Sequence, residues 1–206
     1  MPPPAARRFA LGRPGGETTA FSMSRVRITG GEWRSRLIKV VDAQGLRPTP
    51  DSVRETLFNW LGQDLTGLDC LDLFAGSGIL GFEAASRGAA SVTQVERDQR
   101  VFGALRQNAS SFECPRLRLV RADALEFIAS AESQSRRYDL IFLDPPYRQQ
   151  WLERVAPRLD ALAKPDARIY AEAEHELERL AAWYTVKRGK AGQVYYHLLE
   201  RELERE

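Results

Sequence analysis

A chain of 206 residues, 43% of them hydrophobic, is long enough to bury one α/β core and carry a small appendage. No stretch approaches the roughly 20 apolar residues of a membrane span, and the start, Met1-Pro-Pro-Pro-Ala-Ala-Arg-Arg8, lacks the apolar centre of a signal peptide. The net charge of +2 is unevenly spread: residues 1–60 hold ten Arg/Lys against five Asp/Glu and the remainder twenty against twenty-three, so the front end suits a polyanionic partner.

Residues 1–22, rich in Pro, Gly, Arg and Thr and without periodicity, read as a disordered tail. From Met23 the chain becomes patterned. Arg25 to Val41 alternates as a hairpin does, with Val26 and Ile28 on one side, Arg25 and Arg27 on the other and Gly30-Gly31 at the turn. The return strand carries Trp33, Arg34, Arg36 and Lys39, so the ribbon has a face of arginines suited to phosphate contact. Leu46-Arg47-Pro-Thr-Pro-Asp51 is an extended linker that ends in an N-cap candidate, Asp51. The helix that follows puts Val53, Leu57, Trp60 and Leu61 on a core-facing stripe, with Arg54 on the opposite side beside the basic surface.

Beyond this helix, strands and helices alternate. Strands are expected at 70–74, 91–96, 117–122, 138–143 and 168–173. Helices are expected at 78–87, 98–110, 124–130, 148–163 with a break at Pro157, and 175–182. Two last strands flank Gly189-Lys-Ala-Gly192, and residues 200–206 form a charged tail. Regular alternation of this kind specifies a mostly parallel sheet with helices on both faces, here seven-stranded with an antiparallel edge hairpin. Residues 23–50 are expected as a basic extension and 51–199 as the main domain. Cys70, in a core strand, and Cys114, in a loop, form no CxxC pair and read as reduced thiols. His175 and His197 lack metal-ligand spacing, so no metal is expected.

Two stretches carry chemistry. Leu71-Asp-Leu-Phe-Ala-Gly-Ser-Gly-Ile-Leu-Gly81 sets Gly76-x-Gly78-x-x-Gly81 between a strand and a helix, so that the backbone of Phe74, Ala75, Gly76, Ser77 and Gly78 can turn tightly against a nucleotide-like ligand. Glu96, twenty residues after Gly76, ends the next strand where an acid takes ribose hydroxyls. Those facts alone also fit NAD. Two features favour S-adenosylmethionine: Asp72 places a carboxylate inside the first strand, near a cationic methionine end, and an oxidoreductase has no use for the second stretch. Asp123-Ala124 closes the third strand, where an acid and a small residue can meet an adenine amine, with Asp123 also fit to cap the next helix.

The second stretch is Asp144-Pro145-Pro146-Tyr147, which follows the apolar run Tyr138–Leu143. Proline lacks an N–H and fixes φ, so the strand stops there in a stiff edge at its carboxyl end, the end where open parallel sheets bind ligands. Asp144 and the Pro145 carbonyl are acceptors and Tyr147 is a flat face, a set that matches a planar base with an exocyclic amine.

The glycine turn together with Asp144-Pro-Pro-Tyr147 resembles the amino-group methyltransferases. A narrower set is formed by Arg27-Ile-Thr-Gly-Gly-Glu-Trp-Arg-Ser-Arg36, Gly45-Leu-Arg-Pro-Thr-Pro-Asp-Ser-Val-Arg-Glu-Thr-Leu-Phe-Asn-Trp-Leu61, Leu71-Asp-Leu-Phe-Ala-Gly-Ser-Gly78 and Ala191-Gly-Gln-Val194. With these, the chain is similar to the RsmD family, the bacterial 16S rRNA (guanine(966)-N(2))-methyltransferases, across about residues 25–200. The resemblance implies a Rossmann-like class I fold, a monomeric cytoplasmic enzyme and S-adenosylmethionine as methyl donor. It also implies 16S rRNA in an assembled or assembling small subunit as the partner. Asp144, Pro145, Pro146 and Tyr147 would act on the base, and Arg27, Arg34, Arg36, Arg47 and Arg54 would meet RNA. A DNA adenine or cytosine amino-methyltransferase and a non-catalytic RNA-binding assembly factor are the alternatives.

Overall fold

The computed structural model describes residues 23–41 and 49–201. The expected tail at 1–22, Arg47 with most of its linker, and residues 202–206 of the charged tail lie outside the described residues.

One eight-stranded sheet organises the chain. Its strands are β3 (Asp69–Asp72), β4 (Ser91–Glu96), β5 (Leu117–Arg121), β6 (Tyr138–Leu143), β7 (Ala163–Ala173), β8 (Arg179–Leu180), β9 (Trp183–Ala191) and β10 (Val194–Arg201). The spatial order is β5-β4-β3-β6-β7-β10-β9-β8, parallel from β5 to β7 and antiparallel beyond. The seven strands read from sequence are all present, and two-residue β8 adds an eighth at the edge. The order reverses between β3 and β6. In doubly wound sheets that switch opens a crevice at the carboxyl ends of the strands.

Both faces are covered. Helices α4 (Ala124–Ser133), α5 (Trp151–Val155) and α6 (Leu159–Leu162) pack on one cluster with Leu71, Ile141, Leu143 and Ile169. Helices α1 (Asp51–Leu61), α2 (Ile79–Ser86) and α3 (Gln99–Ser110) serve the other, with Cys70, Leu140, Phe142 and Tyr170. Strand β6 is therefore buried on both sides, which is why it reads as an unbroken apolar run. Pro157 sits in a 3-10 turn, Ala156–Arg158, that splits the expected helix 148–163 into α5 and α6.

Three local expectations change. The ribbon forms as β1 (Met23–Arg27) against β2 (Leu37–Val41), but Gly30-Gly31 is not its turn. The whole span 28–36 docks instead on the end of α2. Ser86 Oγ donates to the Gly30 carbonyl at 2.6 Å and accepts from Trp33 N at 2.8 Å, while the Ser86 carbonyl accepts from Glu32 N at 2.7 Å. Gly31 (φ 75°) lies so close that a Cβ would stand 2.0 Å from the Ser86 carbonyl oxygen. Trp33 is buried and stacks on Phe112 at 4.3 Å.

The second change is at 175–182, which does not form a helix. Leu177 N donates to His197 Nε2 at 3.0 Å, and Thr185 ties back to Leu177 and Glu178, so this backbone is satisfied by the sheet edge. Third, Asp51 does not cap α1. The cap position is Pro50, and Asp51 accepts from Arg27 and Arg54, each at 2.8 Å.

Arg54 is the largest departure from the sequence reading. It is 0% exposed and therefore no part of an RNA-facing surface. Its guanidinium donates to the Thr49 and Arg27 carbonyls, to Asp51 and, at 3.2 Å, to Glu83. Glu83, equally buried, also accepts from Thr29 N at 2.7 Å, from the Thr29 hydroxyl and from Arg87. On a helical wheel Arg54, three residues before Leu57 and seven before Leu61, falls on the same side as the apolar stripe, at its edge and not opposite it. The segment 23–41 covers that side and turns it into interior.

Candidate active site

The carboxyl ends of β3 to β6 surround a cleft of about 280 Å³. Gly76, Glu96, Asp123 and Ala124 line it from one side; Asp144, Pro145, Pro146 and Tyr147 form the facing edge. The two stretches singled out in the sequence thus share one cavity. Tyr147 is 39% exposed and Pro146 is exposed, which leaves this edge open to an incoming planar group.

Each element presents its side chain for a local reason. Glu96 is the last residue of β4, and its carboxylate is fixed by two backbone amides, accepting from Gly76 N at 3.0 Å and Asp98 N at 2.6 Å. That bond also anchors the glycine turn, where Gly76 takes φ 51° in the cleft wall. A rigid acceptor beside a bare backbone suits a ribose with vicinal hydroxyls. Asp123 caps α4 by accepting from Leu125 N at 2.9 Å, and its other oxygen lies 3.8 Å from Arg97. Asp123 thus caps the helix and also lines the cleft. Phe74 meets Trp151 edge-on at 5.5 Å, and both rings line the cleft.

Gly78 and Gly81 serve packing. Gly78 has φ 82°, and a Cβ there would stand 2.3 Å from Leu105; one on Gly81 would stand 2.3 Å from the Gln94 amide. They let α2 lie close on β4, and only Gly76 of the three borders the cavity.

A smaller inner recess adjoins the cleft through Phe74, Gly76 and Asp144, and Asp72, Ala75, Ser77 and Thr49 also line it. Asp72, 1% exposed, accepts from Gly81 N at 3.2 Å and Gln94 Nε2 at 3.4 Å. Burial pushes its carboxyl up to about 7, against the pull of those two donors. Asp144 is raised well above the ordinary carboxylate range, by burial first and then by the charges of Glu172 and Asp72, with only the Thr49 hydroxyl pulling the other way.

Thr49, Tyr170 and Glu172 were not singled out from the sequence. Thr49 stood in a linker and Glu172 in an apolar strand, Ile169-Tyr-Ala-Glu-Ala173. The signal was available: a carboxylate inside a buried strand needs a partner. Period-2 alternation also puts Tyr170 and Glu172 on the same face as Phe142 and Asp144.

Of the basic residues, Arg34 is exposed on the docked span. Arg36 is exposed but donates to the Ser111 carbonyl at 2.6 Å and lies over Phe112 at 4.3 Å; Arg27 is exposed and pairs with Asp51.

The chain matches the family described as conserved hypothetical protein 95 over residues 26–200. It is 42% identical over 187 residues to the ribosomal RNA small subunit methyltransferase D of Escherichia coli (strain K12), a match covering 88% of this chain and 93% of that protein. A solved structure of the putative methyltransferase yhhF from Escherichia coli superposes with a TM-score of 0.77 at 39% identity, covering 87% of this chain and 99% of that one. A 16S rRNA N2 G1207 methyltransferase of T. thermophilus, solved with AdoMet and guanosine, shares the fold at a TM-score of 0.67 and 20% identity, over 88% of this chain and 51% of that one.

Proposed function

Since the chain belongs to the conserved hypothetical protein 95 family, that of the small-subunit rRNA methyltransferases D, we propose that it methylates the N2 amine of one guanine, the 966-type base, in 16S rRNA. It is an S-adenosylmethionine-dependent rRNA methyltransferase. The reading extends to a monomer that works in the cytoplasm on an assembled or assembling small subunit. The observation that carries it is the Asp144-Pro145-Pro146-Tyr147 edge standing across one cleft from Glu96 and the Gly76 turn.

Glu96 would hold the ribose of S-adenosylmethionine, Asp123 and Ala124 its adenine, and Phe74, Ala75, Gly76 and Ser77 its backbone-facing side. The fit rests on a bare glycine wall beside a carboxylate already locked by two amides. S-adenosylmethionine supplies an electrophilic methyl group. The amine nitrogen of guanine is a poor nucleophile, because its lone pair is delocalised into the ring. Asp144 and the Pro145 carbonyl, by accepting hydrogen bonds from its two N–H groups, would localise that lone pair and aim it, and the proton that the nitrogen sheds on methylation would pass to the Asp144 carboxylate. Holding two reactants aligned can supply about 7–11 kcal/mol of the barrier. The base must leave its stack, and Tyr147 would recover part of that cost by stacking, which is worth about 1–3 kcal/mol per base.

Transfer of labelled methyl to small-subunit RNA and to duplex DNA, side by side, tests the substrate class. Label is expected in RNA; label in DNA alone would sink the reading. In the same assay, Arg34→Glu should raise KM for RNA, leave kcat near wild type and flatten the salt dependence, as loss of a phosphate contact does. An unchanged salt slope would remove the docked span from the RNA surface.

A further inference from the structure

Beside Asp144 stands a second carboxylate that the reaction as described leaves unused. Glu172 follows Ala171 on β7 as Asp144 follows Leu143 on β6, and Leu143 and Ala171 are paired in register. Glu172 is 4% exposed. Its Oε1 accepts from the Tyr170 hydroxyl at 2.9 Å and from the Thr49 hydroxyl at 3.0 Å, and that same Thr49 oxygen lies 3.5 Å from Asp144 Oδ2. Arg54 holds the Thr49 carbonyl, which fixes the hydroxyl between the two carboxyls.

A hydroxyl has one proton and can donate to only one of two carboxylates. The other carboxyl can bond to it only as a donor, and so only when it carries a proton itself. Two facing carboxylates in a buried site do not both ionise readily, so the pair titrates as a unit. The surrounding groups sharpen this. Asp72, from β3, adds a third carboxyl that acts on Asp144, and Tyr196, from β10, acts on Tyr170. Arg54, the cation packed against Thr49, bonds to Thr49, Arg27, Asp51 and Glu83 rather than to either member of the pair.

With Asp144 read as the acceptor of the amine protons, on which this step rests, we infer that Asp144 and Glu172 share a single proton through the Thr49 hydroxyl, and that Glu172 is the positioning residue that takes this proton when Asp144 must meet the amine as an anion. At rest the shorter Thr49–Glu172 bond and the second donor from Tyr170 favour the anion at Glu172, with the proton on Asp144. When amine donors arrive at Asp144 they favour its anion. The Asp144 O–H bond then breaks as an O–H bond forms on Thr49 Oγ1. The former Thr49 O–H bond breaks as one forms on Glu172 Oε1. The pair carries one negative charge before and after, and only its position changes. Burial raises both carboxyls, each charge raises Asp144 further, and the bonds from Tyr170 and Thr49 pull Glu172 back down, as sharing requires.

The test is the pH dependence of the single-turnover methylation rate on small-subunit RNA. Wild-type rate rises with pH as the pair loses the first of its two protons and becomes the monoanion. Glu172→Gln keeps the shape but can neither carry the resting charge nor take the proton, so Asp144 must ionise alone and the acid limb should move to higher pH by about one unit, with S-adenosylmethionine affinity within about twofold. Thr49→Val cuts the path between the two carboxyls, so its limb should also move to higher pH. Tyr170→Phe removes one bond that stabilises the Glu172 anion and should shift the limb the same way by less; it takes the place of Glu172→Gln should that variant not fold. A limb that stays in place, or that moves to lower pH in Glu172→Gln as loss of a mere neighbouring charge would move it, overturns the shared proton. Asp144→Asn is run alongside. If it remains active the acceptor reading itself is wrong; if it is dead while the limbs do not move, only the sharing is wrong.

Discussion

Replacing Asp144 with alanine should abolish methyl transfer and leave S-adenosylmethionine binding within a few-fold of wild type. The residue directly follows β6 on the base-facing edge, across the cleft from the Glu96 carboxylate and the Gly76 wall, so its loss leaves the cofactor side intact. Asp144→Asn is the sharper variant. The Watson–Crick edge of guanine presents N1–H and the N2 amine side by side, so it offers donors only, and a carboxylate offers acceptors only. An amide in its place loses a charge-assisted bond and turns a donor toward a donor. That costs on the order of 2–4 kcal/mol, or roughly 30- to 1000-fold in rate. Measured kcat/KM on RNA within a few-fold of wild type for either variant would remove Asp144 from the chemistry.

Arg54→Met should produce the largest loss of stability, about 3–5 kcal/mol, because it takes a buried guanidinium from Glu83 and from two backbone carbonyls at once. Glu83 would keep Arg87 and Thr29, but the Thr49 and Arg27 carbonyls would lose their guanidinium donor. Against a typical total of about 5–15 kcal/mol, that is a severe change. Chemical denaturation followed by a sheet signal reads it directly. A midpoint equal to wild type would show that the network does not hold segment 23–41 to α1 and α2. Because Arg54 also fixes Thr49, the folded fraction of this variant should turn over more slowly than wild type.

Much of the fold was legible because its signals are local. Strand β6 announces itself as an apolar run closed by two prolines, and the turn after β3 by its glycines. Glu96 falls where the next strand must end. What the sequence concealed depends on covering, which no period reports. Arg54 shares the side of α1 that carries Leu57 and Leu61, so the helical period itself pointed inward; what it could not show is the chain at Arg27 and Thr29 that closes over the guanidinium and its partner Glu83. Gly30-Gly31 has the composition of a hairpin turn, but Ser86, more than fifty residues on, satisfies its backbone. Residues 175–182 have a helical composition, yet the edge of β9 and the His197 ring offer their backbone better partners. In the site, Glu96, Asp123 and Asp144 came from motifs, whereas Glu172 is brought beside Asp144 by the pairing of β6 with β7 and Thr49 by a backbone that Arg54 holds.

The most direct measurement of the central reading is the identity of the methylated nucleoside. Small subunits lacking the modification are incubated with the protein and S-adenosylmethionine labelled in its methyl group, and their RNA is digested to nucleosides. Label is expected in N2-methylguanosine, from one site in 16S rRNA. Label in N6-methyladenosine or N4-methylcytosine, or none in the presence of bound cofactor, would contradict that reading.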